Sequence, residues 1–171
     1  MHIQELTKKE CLEALTRLKF GRLGCSRDNQ PYIVPVYFVC HERHLYSVAQ
    51  LGRKIEWMRA NPLVSVEAED IVDHYHWTSV IVRGRYEELR DSPERSERKL
   101  AHELLQERLM WWQPAFVAAD HVVAAKDSPP VYYRIHIDEV SGRHAFSPPN
   151  PARGREKDHR GWMHQGSFRP G

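Results

Sequence analysis

Cysteine is scarce in this chain: Cys11, Cys25 and Cys40 are the only three in 171 residues. Their number is odd and no two form a C-x-x-C pair, which argues against a disulfide framework or a zinc knuckle and leaves buried thiols. No stretch approaches the ~20 apolar residues that a membrane-crossing helix needs. The opening MHIQELTKKE lacks the basic-then-apolar layout of a secretory signal, so the expected address is the cytoplasm. There is no G-x-G-x-x-G to mark a dinucleotide fold and no G-x-x-x-x-G-K-[ST] to mark a P-loop. Neither a Ser-His-Asp order nor a paired-carboxylate spacing supports a hydrolase.

Charge of one sign is also lacking. The net charge is +2, too small by itself to argue for nucleic acid. Five of the 25 basic and two of the 23 acidic side chains fall in 147–171, leaving 20 and 21 in 1–146. The body is therefore near neutral, and a basic tail rich in Pro and Gly supplies the excess. The reading divides the chain into a domain at 1–146 and a tail at 147–171, a flexible segment or an arm laid on a second subunit. Apolar residues make up 41%, enough for one domain with a proper core.

The pattern within 1–146 is mostly that of strands. Thr7 and Glu10 form a capping box, Leu12, Leu15 and Leu18 give the following helix one apolar face, and Gly21 stands where that helix is expected to stop. Alternation around Arg22–Ser26 leads to the turn Arg27-Asp28-Asn29-Gln30. Tyr32–Cys40, nearly all apolar, reads as one strand covered on both faces. Pro35 within it cannot donate a ladder hydrogen bond and marks an edge, a bulge or an opening. Further strands are expected at Leu45–Ala49, Val64–Glu69, Trp77–Glu88 and Val131–Val140. A second helix is expected from Ser92-Pro93-Glu94 through Leu100, Leu104 and Leu105 toward Trp111-Trp112, a core or dimer contact. Six strands at short spacing with helices between them predict an α+β, mainly β fold: a small antiparallel barrel with flanking helices.

One stretch points to chemistry. In LYSVAQLGRKIEWMRANPLVSVEAE, a strand gives way to a short helix at Gly52-Arg53-Lys54. Free N–H groups at a helix start, with their partial positive charge, form an anion site. Arg53 offers a planar fork and Lys54 a mobile point charge. The alternative is a solvated Arg-Lys pair, although cations are mildly disfavoured at that end of a helix. His74-Tyr75-His76 has the i, i+2 spacing that would let an extended segment present two imidazoles to a metal, against plain loop histidines.

The same stretch resembles the pyridoxamine 5'-phosphate oxidase-like, FMN-binding split-barrel family. FGRLGCSRDNQPYIVPVYFVCHERHLYS is similar to that family's first hairpin, and WTSVIVRGRYEEL to its W-x-S-V strand. The resemblance implies a six-stranded antiparallel split β-barrel, a homodimer with FMN between its subunits. Arg53 and Lys54 would hold the phosphate, helped by the strand Ser47, Val48 and Ala49. The ring would rest along Val34, Pro35 and Val36, with Trp77 and Ser79 near the flavin or the dimer seam. HRGWMHQGSFRPG does not reproduce the C-terminal substrate signature of true pyridoxamine phosphate oxidases. The resemblance is therefore to the flavin-nucleotide-binding, nitroimidazole-resistance-like branch. The implied activity is FMN-dependent oxidoreduction of a small organic molecule, with a nicotinamide cofactor as candidate electron donor and no catalytic side chain named. The alternatives are a haem-binding split barrel and a flavin-binding protein without turnover. Neither a nucleic acid nor a membrane is an expected partner, and no metal site is assigned.

Overall fold

The computed structural model describes residues 1–90, 97–107 and 129–147. Eight strands and three helices follow in the order β1 (His2–Glu5), α1 (Lys8–Arg17), β2 (Phe20–Arg27), β3 (Gln30–Tyr37), β4 (Val39–His41), β5 (His44–Ala49), α2 (Arg53–Ala60), β6 (Leu63–Asp73), β7 (His76–Glu88), α3 (Glu97–Gln106) and β8 (Val131–Phe146). The strands join one antiparallel sheet in the order β3-β2-β6-β7-β8-β5-β4, with β1 pairing to β8. No described helix is long and apolar enough to cross a membrane.

Local sequence explains most of this. The Thr7 side chain accepts from the Glu10 N–H, while the Glu10 carboxylate accepts from the Thr7 N–H at 2.7 Å, starting α1 as the capping box requires. Leu15, Cys11 and Ala14 are buried beneath the helix. Asp28 and Asn29, at φ 51° and 61°, make the two-residue turn between β2 and β3. Positive φ at both centres suits the twist of the flanking strands. Inward residues from opposite sides of the sheet, among them Leu23, Val66, Val80, Val82, Tyr133 and Ile137, form the main core. A smaller cluster of Tyr46, Leu89 and Ala101 lies under α3. All three cysteines are buried and free.

The structure corrects several expectations. The described residues hold eight strands rather than six, because β1 and β4 carry too few residues to show periodicity. Tyr32–Cys40 is not one strand covered on both faces: β3 ends at Tyr37 and β4 begins at Val39. β3 is a sheet edge with alternating exposure, its Ile33 69% exposed. Pro35 accordingly sits on an edge, where its missing N–H is tolerated. Gly21 does not end the helix, which closes at Leu18. It lies in β2 opposite Val36, where an added Cβ would come within 2.5 Å of the Glu67 carbonyl oxygen. β8 continues past Val140 to Phe146 and thereby pairs with β1. Ser92-Pro93-Glu94, Trp111-Trp112 and the tail beyond Ser147 lie outside the described residues.

Candidate anion and aromatic site at the start of α2

The sheet fixes where α2 begins. β5 runs antiparallel to β8 as far as Ala49 opposite Val131, and Gln50-Leu51-Gly52 then turns the chain into α2. At its far end, Asn61 ties the helix to β2 by donating to the Ser26 carbonyl and hydroxyl, each at 3.2 Å. Ile55 and Met58 are fully buried between these anchors. Arg53 and Lys54 are thus held on a rigid element beside β2 and β3.

Gly52 is the N-cap of α2 and offers no side chain to its free N–H groups. A Cβ there would meet nothing within 4 Å. A helix start without a side-chain cap, with free space beside it, suits an anion. Lys54 is the only half-buried lysine among the described residues. Burial pushes its ammonium below the ordinary 10.5, and the nearby Cys25 partly opposes that shift. No ion pair to Arg53 or Lys54 occurs among the described residues, whereas Arg22, Arg59, Arg83, Arg85 and Arg134 all meet carboxylates. A half-buried cation without a counter-charge is costly, and a bound anion relieves that cost.

The two cations have neighbours at paired positions of β2 and β3, Cys25 and Tyr32. Lys54 lies toward the buried Cys25 of β2. Exposed Arg53 instead places its guanidinium carbon 5.5 Å above the Tyr32 ring, within the range of a cation–π contact. Trp57, one turn further along α2, has its ring 5.4 Å from that of Tyr32 at 58°. Sequence reasoning missed Tyr32 and Trp57. The i, i+4 spacing of Arg53 and Trp57 was the available signal, since it puts both on one helix face.

The remaining candidates are dispersed. Ser47 is buried, and its hydroxyl donates to the Tyr37 carbonyl at 2.7 Å, tying β5 to the end of β3. Ala49 is buried and Val48 half-buried. Tyr133, opposite Ser47, is completely buried with a hydroxyl that has no hydrogen-bond partner. Burial pushes its pKa up to about 12. Val36 is buried and Val34 packs on the core, whereas Ile33 and Pro35 face outward.

Trp77 and Ser79 line a groove of about 510 Å³ with Leu6, Ile81, Val140 and Arg143. Ser79 donates to Glu67 at 3.3 Å. Alternation in β7 sends Val80 and Val82 inward and Ser79 and Ile81 outward. Cys25 points inward, so within one chain the Lys54 corner and the Trp77–Ser79 groove are on opposite faces of the sheet. His74 and Tyr75 form the β6–β7 turn rather than an extended pair. The Asp73 carboxylate holds this turn, accepting from the Tyr75 and His76 N–H groups and meeting His76 Nδ1 at 2.9 Å. Among the described residues no three His, Cys, Asp or Glu side chains are grouped to hold a metal.

A family model described as pyridoxamine 5'-phosphate oxidase matches residues 7–144. The crystal structure of a FAD-binding protein from Mesorhizobium loti is 39% identical, covering 86% of this chain and 99% of its own, with a TM-score of 0.66. That of a FAD-binding protein from Mycobacterium smegmatis is 26% identical, over 82% of this chain and 98% of its own, with a TM-score of 0.60. An uncharacterised protein from Rhizobium meliloti (strain 1021) is 34% identical over 146 residues, which is 85% of this chain and 97% of that protein.

Proposed function

Because the chain belongs to the pyridoxamine 5'-phosphate oxidase-like family, we propose that it binds a flavin nucleotide by its phosphate end at the start of α2. The observation that carries this reading is Lys54: half-buried, beside Arg53, and without a carboxylate among the described residues. A helix start without a side-chain cap, and the free space beside Gly52, fit a phosphate. Two relatives named as FAD-binding proteins support the flavin class. FMN is the smallest ligand that satisfies the corner.

Each residue then has a task. Lys54 offsets phosphate charge, and Arg53 donates from the rim while Tyr32 braces it from below. β3 borders the ring with its exposed edge, where Pro35 presents a carbonyl but no N–H. Trp77 and Ser79 lie on the other face of the sheet, so they reach the ligand from a second copy of the chain. Outward apolar residues such as Ile81, 48% exposed, give that second copy a surface to cover. The active unit is accordingly a homodimer with the flavin at its seam. A bound flavin supplies electron and hydride transfer to a small organic substrate, with a nicotinamide cofactor as donor. The chain's own part is to bind, orient and exclude water.

The absorbance spectrum of the purified protein, followed by release and identification of the chromophore, tests the reading. Arg53→Ala with Lys54→Ala removes two charge-assisted contacts worth about 1.5–3 kcal/mol each. The double variant is expected to stay folded and to bind flavin nucleotides at least about a hundredfold more weakly. Unchanged affinity would overturn the assignment.

A further inference from the structure

We infer that Ser47 is a positioning residue for the ring-side strand rather than a ligand of the phosphate: its hydroxyl ties β5 to the end of β3. The inference rests on the flavin-nucleotide reading above and deepens it. A serine carries a single O–H. The Tyr37 carbonyl can only accept, so at 2.7 Å that proton is given to it. At neutral pH a phosphate monoester offers acceptor oxygens and needs donors. Ser47 has no proton left for one. The residue is also only 4% exposed, with the completely buried Tyr133 directly opposite it in β8.

The bond joins distant parts of the sheet. In the order β3-β2-β6-β7-β8-β5-β4, four strands separate β3 from β5. β3 pairs with β2, where Tyr37 stands opposite Phe20, and just beyond it the Phe38 N–H donates to the Lys19 carbonyl at 3.0 Å. Neither tie reaches β5; the Ser47 hydroxyl does. Tyr37 directly follows Val36 of the strand proposed to border the ring, and β5 ends at Ala49, just before the turn into α2. One hydrogen bond thus sets the spacing between the ring-side strand and the strand that leads to the cationic corner. Backbone contacts to the polar edge of a flavin weaken steeply when misaligned, so a shift of β3 is felt at the ring. Arg53 and Lys54 are anchored separately, through the buried Ile55 and Met58 and the Asn61 bonds to Ser26.

The test compares FMN and riboflavin binding, followed by flavin fluorescence, to the apo forms of wild type and Ser47→Ala, together with the midpoint potential of bound FMN. Loss of the tie should weaken both flavins by a similar factor, about tenfold, so that the FMN-to-riboflavin ratio stays as in wild type. The potential should shift, because contacts to the ring act unequally on its oxidised and reduced forms. Ser47→Cys, with a weaker donor of similar shape, should fall between. If Ser47→Ala fails to fold, Ser47→Cys decides by the same ratio and potential. If wild type holds FMN but not riboflavin, the potential decides. Loss of FMN affinity alone would make Ser47 a phosphate ligand and overturn the inference while leaving the flavin reading intact. Unchanged affinities, or an unchanged potential, would overturn it as well. Binding of neither flavin by wild type would overturn both readings.

Discussion

The side-chain amide of Asn61 bridges α2 to β2, reaching the Ser26 carbonyl and hydroxyl at 3.2 Å each. The Asn61 oxygen also accepts from the Leu63 N–H at 3.2 Å as β6 begins. One residue therefore fixes both the exit of the helix and the entry of the next strand. Asn61→Ala is expected to lower stability by about 1–3 kcal/mol, since it leaves part-buried backbone groups without partners. A denaturant titration checks this: the midpoint should fall with an unchanged slope.

Lys54 sets stability against binding. Its pKa is lowered in the folded state, so near neutrality the unfolded chain holds the proton more readily and the charge destabilises the fold. As pH rises through the folded pKa toward 10.5 this penalty is relieved, because the unfolded state then binds more protons. Lys54→Met should therefore stabilise the ligand-free protein at pH 7, and its advantage over wild type should shrink as pH approaches 10.5. The same change should weaken flavin-nucleotide binding. Unfolding free energies of apo wild type and variant between pH 7 and 10 decide the point.

Two glycines in the sheet should respond very unequally to a methyl group. At Gly84, in the β7–β8 irregularity, a Cβ would lie 2.1 Å from the His136 carbonyl oxygen and 3.0 Å from Ile135 Cγ2. At Gly24 the nearest atom is the Ser65 carbonyl oxygen at 3.8 Å. Gly84→Ala should destabilise by roughly 3 kcal/mol or abolish soluble expression, because backbone must move. Gly24→Ala should stay within about 0.5 kcal/mol of wild type. Thermal melts of the pair measure the contrast.

Glu88 gives an acid-side prediction. Its carboxylate meets Arg59 at 2.8 Å through two bonds and accepts from the Tyr86 hydroxyl at 3.1 Å. Chiefly the Arg59 hydrogen bonds hold its pKa below the usual 4.5. A depressed carboxylate pKa contributes stability above 4.5 that is lost as pH falls through the folded value. Glu88→Gln should lower stability at pH 7 and narrow the gap between pH 7 and pH 3. Urea melts of both proteins at the two pH values are sufficient.

The sequence was legible wherever a signal is local. The Thr7–Glu10 box, the Asp28-Asn29 turn and the alternation in β2 depend on neighbours within a few residues. It failed where a residue's role is set by a distant strand. Gly21 looks like a helix stop until β6 brings the Glu67 carbonyl against it. Tyr32–Cys40 looks covered on both faces until the sheet order places β3 at an edge. In the candidate site, Arg53 and Lys54 stood out as adjacent cations at a helix start. Tyr32, 21 positions before Arg53, did not.

What the chain's order of residues determined alone is the inventory: a mainly β domain, its turns and caps, and a cationic step from strand to helix at position 52. Those follow from steric limits on φ and ψ, from side-chain periodicity and from short-range hydrogen bonds. Tertiary structure decided the directions. Packing of α2 on β2 sends Lys54 inward toward Cys25, and pairing of β3 with β2 lays Tyr32 beneath Arg53. Charges adjacent in sequence came to face different surroundings because consecutive residues of a helix point about 100° apart.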